Sequence, residues 1–231
     1  LILAVVAWGI SLLAFHAEPL PVRQEPARFP GRRGSALPVT FWVYWVALVM
    51  CVATEWSIVS WGADFLVNPG GLGKSDASMV MTFFFGAMVI GRAFGSQLSR
   101  RMDSARLLVA AIGVALAGFV LFWLAPVAGL TIAGLFVAGL GVSNLFPFLM
   151  TIAVGVGAAY SDAASARVTL GAGLAILVAP QTLGWVADQT DLKSAYSIVF
   201  GLLLMAALVT ALANRRVARH NGVPEATGTG R

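Results

Sequence analysis

The sequence predicts an all-α, polytopic membrane protein with six complete transmembrane helices. Only 11% of its 231 residues are charged and 59% are apolar, whereas a soluble domain carries roughly 25% charged residues. No Asp, Glu, Lys or Arg occurs between Leu107 and Ser161. As a helix this stretch would be about 80 Å long, so it must cross the hydrocarbon core of about 30 Å, turn and return.

The apolar segments alternate with short polar turns, and each is long enough to span a bilayer. The six predicted spans are Pro38–Asp64, Ser75–Ser99, Ala105–Leu124, Gly129–Val156, Ser165–Ala187 and Ser194–Asn214. Residues 1–15 are apolar but short, so we expect them to be the end of a helix that begins before Leu1. The predicted organisation is this truncated helix (1–15), a linker (16–37), a six-helix bundle (38–214) and a disordered tail (215–231).

Basic residues are concentrated at alternate connections between the spans. Eleven lie on one face: Arg23, Arg28, Arg32, Arg33, Arg100, Arg101, Arg106, Arg167, Arg215, Arg216 and Arg219. The opposite face has only Lys74 and Lys193. The positive-inside rule then predicts that the linker and the tail are cytoplasmic. The protein is expected to be a multi-pass protein of the cell membrane.

Composition and motifs argue against several other classes of protein. Cys51 is the only cysteine, which excludes an internal disulfide and a cysteine-based metal site. The net charge is +5, and the basic residues lie beside hydrophobic spans. Binding to anionic lipid headgroups explains this position better than binding to nucleic acid does. We find no phosphate-binding loop, metalloprotease motif or hydrolase elbow. We therefore expect no enzyme activity, no cofactor, no metal site and no nucleic-acid partner.

Glu55 is the first candidate functional residue. It lies past the middle of the first span, in which none of the 17 residues before it and none of the eight after it is charged. A carboxylate at this depth faces a polar cavity, pairs with a cation or stays protonated. It could carry the coupling proton or bind substrate, or it could be a structural carboxyl bonded to a neighbouring helix. The sequence leaves both readings open.

Aromatic residues are frequent in the first span. Trp42, Tyr44 and Trp45 near its start are typical of an interfacial belt. Further along the helix, an aromatic and hydroxyl face that could contact a sugar-like ligand is formed by Trp56, Ser57, Ser60 and Trp61. The belt explains these residues too, so a substrate-facing role remains the alternative reading.

Two later spans contain a proline next to a polar side chain. Asn144 and Pro147 lie in the fourth span, and Pro180 precedes Gln181 in the fifth. Proline leaves a backbone carbonyl without its helical partner one turn back, and a polar side chain adds a second bonding group at membrane depth. Such points are where transporters tend to bind substrate. We therefore predict a substrate or proton pathway at Asn144, Pro147 and Gln181.

The end of the second span and the turn after it are rich in glycine and arginine, with Gly91, Arg92, Gly95, Arg100, Arg101 and Asp103 as candidate residues. This segment resembles the cytoplasmic signature of the major facilitator superfamily, G-x-x-x-D-R-x-G-R-[RK]. Gly95 and Arg100 match it, whereas Ser99 and Met102 stand where the signature has Asp and Gly. The stretches from Glu55 to Trp61 and from Gly139 to Pro147 are similar to patterns of its fucose-permease-like and sugar-permease branches.

The resemblance implies twelve helices in two six-helix halves that give alternating access to a central cavity. This chain would then be the C-terminal half, with the truncated helix as the sixth of twelve. The seventh and tenth helices would line the cavity, which places Glu55 and Asn144 beside substrate and coupling proton. The turn arginines would stabilise the cytoplasmic closure of the outward-facing state.

We therefore expect a permease, most simply a proton-coupled symporter, for a small organic solute such as a sugar. Its partners would be that solute, the coupling proton, the lipid bilayer and an N-terminal half of the same protein. A multidrug-type efflux antiporter is the alternative within transport. A receptor or assembly subunit on the same scaffold is the alternative outside it.

Overall fold

The structure, a computed structural model, describes residues 37–221, with side chains described up to residue 214. Every regular element in this part of the chain is helical. The elements are α1 (Val39–Val67), α2 (Lys74–Leu98), α3 (Ser104–Leu124), α4 (Ala128–Val142), α5 (Leu145–Val156), a 3-10 turn (Ala158–Tyr160), α6 (Ser161–Gln189), α7 (Leu192–Ala195) and α8 (Ser197–Asn221). The predicted truncated helix 1–15, the linker up to residue 36 and the tail beyond residue 221 lie outside the described residues. Residues 215–221, which are predicted as part of the disordered tail, are helical and continue α8.

The prediction of six spans is confirmed, since six helical segments among the described residues are long and apolar enough to cross a membrane. The protein is therefore an integral membrane protein. The fourth span consists of α4 and α5, which are separated at Ser143 and Asn144. The sixth span consists of α7 and α8, separated at Tyr196.

The start of α2 has no side-chain cap, since the helix begins at Lys74 and its N-cap residue, Gly73, makes no side-chain cap bond. The preceding loop turns at Gly71, whose φ of +69° favours glycine. Tyr44 was expected in the interfacial belt, but it is 2% exposed and its hydroxyl donates to Asn214 Oδ1 at 2.7 Å.

Side-chain caps do occur at two other helix starts. Asp103 accepts a hydrogen bond from the N–H of Ala105 at 3.2 Å and caps α3. Asp191 caps the short helix α7 by accepting bonds from the N–H and the hydroxyl of Ser194 at 2.9 and 2.6 Å. The hydroxyl bond, followed by the backbone bond, holds the pKa of Asp191 below its usual value.

Helix α1 is the centre of the bundle and packs against α2, α5, α6 and α8. Helices α3 and α4 pack against each other at very short distance. Glycines at their crossing leave no side chain between the two backbones. A Cβ at Gly118 would overlap the backbone of Ala138, and one at Gly134 would overlap that of Phe122. Small residues of this kind allow the close packing that holds membrane helices together.

Candidate functional site

The first feature of the site is an ion pair within the membrane. Arg92 Nη2 of α2 lies 3.8 Å from Glu55 Oε1 of α1. The Glu55 side chain is 13% exposed and that of Arg92 is 60% exposed. Glu55 thus pairs with a cation that itself faces open space, which is compatible with both a coupling role and a structural role of this carboxylate. It is the only ion pair between side chains in residues 37–214.

Helix direction explains why two residues on different spans meet. Successive spans run in opposite directions, and every side chain leans toward the N-terminus of its own helix. Glu55 therefore leans toward the start of α1 while Arg92 leans toward the start of α2. Glu55 lies 12 residues before the end of α1 and Arg92 lies 18 residues after the start of α2, so Glu55 is about 9 Å nearer to the connecting loop. The two long side chains therefore lean toward each other.

The second feature is the interruption between α4 and α5. Pro147 lies in the first turn of α5 and has no N–H to donate to the carbonyl of Ser143, four residues earlier. Arg92 Nε donates to this Ser143 carbonyl at 3.4 Å. The predicted effect of Pro147 is therefore present, but the chain leaves the helix at Ser143 and Asn144 and not at the proline. Arg92 links the interruption to Glu55.

Asn144 joins the interruption to α2. Its Nδ2 donates to the carbonyl of Gly91 at 2.8 Å, to Ser143 Oγ at 3.1 Å and to the carbonyl of Leu140 at 3.3 Å. Asn144 is 8% exposed, so these bonds satisfy a polar group that would be costly to bury alone. Gly91 and Gly95 make the contact possible, since a Cβ at either would overlap the side chain of Ser143 or Asn144.

We expect Gly95→Val to destabilise the protein, because the added side chain would displace the Asn144 amide from its acceptors. Overpacking of this kind costs about 1–3 kcal/mol. Gly86→Val is the matched control on the same helix, since a Cβ there meets nothing within 4 Å. Thermal unfolding of the purified protein in detergent would measure both variants. Equal midpoints would contradict this role of Gly95.

An open cavity of about 740 Å³ lies beside this cluster, between α2 and α5. Arg92, Ser96, Asn144, Pro147 and Thr151 contribute to its walls. Arg92 is the only charged residue among its lining residues in the described chain. The structure thus brings Arg92, Asn144 and Pro147 together at one opening, and the ion pair with Arg92 joins Glu55 of α1 to them.

The aromatic candidates of α1 lie on another side of that helix. Ser57 is two residues beyond Glu55 and thus about 200° around the helix. Trp61 Nε1 donates to the carbonyl of Pro180 on α6 at 2.8 Å, and its ring lies where a Cβ of Gly184 would be. Ser57 is buried and Ser60 is exposed.

Trp56 is 37% exposed, and Gln181 is exposed on α6. Neither residue contributes to the wall of the cavity beside Arg92. Helix α6 also continues through Pro180, unlike the fourth span at Pro147. The site predicted from the sequence is therefore divided, with Glu55, Asn144 and Pro147 in one group and Trp56, Ser60, Trp61 and Gln181 elsewhere.

The predicted signature turn is divided as well. Gly91 and Gly95 are buried against the fourth span, while Arg100 and Arg101 are exposed in the turn after α2. Asp103 is the cap of α3. Arg92 belongs with Glu55, a partnership that was not predicted from the sequence. The signal that could have indicated it is that Arg92 is the only basic residue more than three positions from the end of a predicted span. No cluster of three or more potential metal ligands occurs among the described residues.

Comparison with known proteins agrees with this architecture. Residues 36–229 match the Major Facilitator Superfamily. A protein of Yersinia pestis named as an uncharacterized MFS-type transporter is 27% identical over 185 residues, which are 77% of this chain and 46% of that protein. The crystal structure of the Major Facilitator Superfamily transporter FucP, in the outward conformation, matches with a TM-score of 0.73 at 17% identity.

The FucP match covers 92% of this chain and 53% of FucP. The chain thus spans about half the length of each of these two proteins, as expected for one six-helix half. At 17% identity the match to FucP shows a shared fold and nothing about substrate. Membership of the fucose-permease-like branch of the superfamily therefore stays a prediction. The match over residues 36–229 covers most of the sequence. The chain therefore belongs to the Major Facilitator Superfamily, as its resemblance to the signature predicts.

Proposed function

We propose that the chain forms the C-terminal half of a proton-coupled permease that moves a small organic solute by alternating access. Membership of the superfamily points to transport and away from catalysis. The observation that supports proton coupling is the ion pair of Glu55 and Arg92, because Arg92 also lines an open cavity. A carboxylate inside a span can take up a proton when its ionic partner is engaged elsewhere.

The pair also supports a link between protonation and shape. Arg92 contacts Glu55 on α1 and the carbonyl of Ser143 at the interrupted span. A proton on Glu55 would remove its attraction for Arg92 and leave the cation to the interruption and the cavity. Protonation of Glu55 on α1 would thereby alter the interactions of Arg92 with the interruption between α4 and α5.

In this proposal the linker and the tail are cytoplasmic, following the positive-inside rule. Arg100 and Arg101 then lie at the cytoplasmic end of α2, where they would stabilise closure against the other half of the protein. The partners are the solute, the coupling proton, the lipid bilayer and that other half. We expect neither a cofactor nor a metal ion to take part.

The test is transport by the full-length protein reconstituted in proteoliposomes. We expect uptake of a labelled solute, drawn from a panel of sugars and sugar derivatives, to collapse when a protonophore dissipates the proton gradient. Uptake that is unaffected by the protonophore would contradict proton coupling. Binding of a panel member without any flux would favour a receptor instead.

A second function within transport is favoured by a different cavity. An apolar space of about 360 Å³ lies between α1, α6 and α8, with Trp45, Val49, Leu174 and Leu202 among its lining residues. Such a lining suits hydrophobic compounds better than sugars. Proton-driven export of a hydrophobic dye by the same proteoliposomes, without sugar uptake, would support an efflux antiporter.

A further inference from the structure

The cavity beside α2 and α5 offers an unusual set of bonding groups. Arg92 has five N–H donors on its guanidinium group, but within residues 37–214 only Nε makes a hydrogen bond, to the Ser143 carbonyl at 3.4 Å. The 3.8 Å between Nη2 and Glu55 is an ion-pair distance and is too long for a hydrogen bond. Since the side chain is 60% exposed, four donors of a positive group remain available to a bound molecule.

Three hydroxyl groups of the cavity have their hydrogen atoms directed into the protein. Ser96 Oγ, Ser99 Oγ and Thr151 Oγ1 each donate to a backbone carbonyl three or four residues earlier, at 3.0, 2.9 and 2.8 Å. A hydroxyl has one hydrogen and two lone pairs, so in this arrangement the lone pairs are left to accept a further bond. A ligand that donates hydrogen bonds, as a solute hydroxyl does, matches these positions.

Charge balance limits the ligand further. Glu55 and Arg92 together are neutral, and an isolated charge at membrane depth is costly. A monoanion that binds Arg92 would leave one negative charge in excess unless Glu55 takes up a proton. One anion and one proton together keep the site neutral, and the transported pair then carries no net charge across the membrane.

We propose that this cavity takes a hydroxylated monocarboxylate, such as a sugar acid, whose carboxylate replaces Glu55 on Arg92 while Glu55 takes up a proton. The inference rests on proton-coupled transport as proposed above and names the substrate class of that site. The carboxylate meets the Arg92 fork, and the solute hydroxyls donate to Ser96, Ser99 or Thr151. A neutral sugar would leave the guanidinium group without an anion whenever Glu55 is protonated.

The experiment compares labelled glucuronate with labelled glucose in proteoliposomes of the full-length protein. These probes share ring and hydroxyl groups and differ in the carboxylate. We expect a pH gradient, acid outside, to drive uptake of glucuronate and not of glucose. A potassium gradient with valinomycin, negative inside, should leave the glucuronate rate unchanged, because one proton and one monoanion carry no net charge.

Several results would overturn the assignment, and they separate it from the transport proposal. Proton-driven uptake of glucose, accelerated by a negative interior, would exclude the sugar acid and leave proton-coupled transport standing. Uptake of glucuronate without any effect of the pH gradient would contradict the coupling and leave the substrate class standing. Uptake of neither probe would refute the substrate class.

Binding by variants gives a readout that does not depend on transport. In detergent, glucuronate should stabilise the wild-type protein against heat. Loss of a charged hydrogen-bond partner costs 1.5 kcal/mol or more, so Arg92→Gln should weaken glucuronate binding about tenfold or more. Arg92→Lys keeps the charge and should retain part of the affinity, which guards against a variant that fails to fold.

Lys74→Gln is the matched control, because it removes one positive charge from the exposed first turn of the same helix. It should bind glucuronate as the wild type does. An equal loss in Lys74→Gln and Arg92→Gln would show that the effect is one of overall charge and would overturn the assignment.

Discussion

Glu55→Gln is expected to abolish proton-driven accumulation of solute while leaving exchange of solute across the membrane intact. The amide oxygen of glutamine can still accept a hydrogen bond from Arg92, but an amide cannot bind and release a proton near neutral pH. A gradient of about one pH unit is worth about 1.4 kcal/mol per proton and can sustain about tenfold accumulation. The ratio of inside to outside solute should fall to about one in the variant.

Counterflow distinguishes loss of coupling from loss of the folded protein. Proteoliposomes preloaded with unlabelled solute should still take up labelled solute, because alternating access without a gradient needs no net proton movement. Asp64→Asn is the matched control, since Asp64 is an exposed carboxylate on the same helix. Normal accumulation by Glu55→Gln, or the same loss in Asp64→Asn, would show that Glu55 is a structural carboxyl.

Gly118→Leu is expected to give one of the largest losses of stability among simple substitutions in the bundle. Its Cβ would overlap the backbone of Ala138 on α4, and a backbone cannot rotate away as a flexible side chain can. Overpacking of cores costs about 1–3 kcal/mol and occasionally more. We expect the upper part of this range here, because separating α3 from α4 also removes the packing of Gly134 against Phe122.

Gly113→Leu is the control for this substitution. Gly113 is on the same helix, and a Cβ there meets nothing within 4 Å. Both variants gain the same side chain and the same helix propensity. The difference between their thermal midpoints therefore measures the cost of disturbing the contact between α3 and α4. Fluorescence-detected size exclusion after heating would measure the two midpoints. If Gly118→Leu were as stable as Gly113→Leu, close contact of α3 and α4 would not be needed.

The spans could be predicted from the sequence because each depends on local composition. A run of apolar residues such as Leu107–Leu124 has one stable environment, and its ends are marked by Asp103 and by the turn at Pro126. Glu55 could be singled out for the same reason, because a carboxylate within such a run is anomalous wherever the run packs. These inferences require no knowledge of neighbouring helices.

The partners of the site could not be predicted in this way. The approach of Arg92 to Glu55 depends on which helices are adjacent and on their relative height, and neither is written in local composition. The interruption at Ser143 and Asn144 also depends on α2, because Asn144 donates to Gly91 of that helix. Pro147 marked the region correctly, but the residue at which the chain leaves the helix is set by this tertiary contact.

Helix α6 is joined to α1 at two places, and this has a mechanical consequence. The indole N–H of Trp45 donates to the carbonyl of Arg167 and that of Trp61 to the carbonyl of Pro180, both at 2.8 Å, while the rings lie over Gly171 and Gly184. The two glycines are about 20 Å apart along the helix. Two contacts so far apart oppose both sliding and pivoting of α6 against α1, so we expect these two helices to move together as one unit.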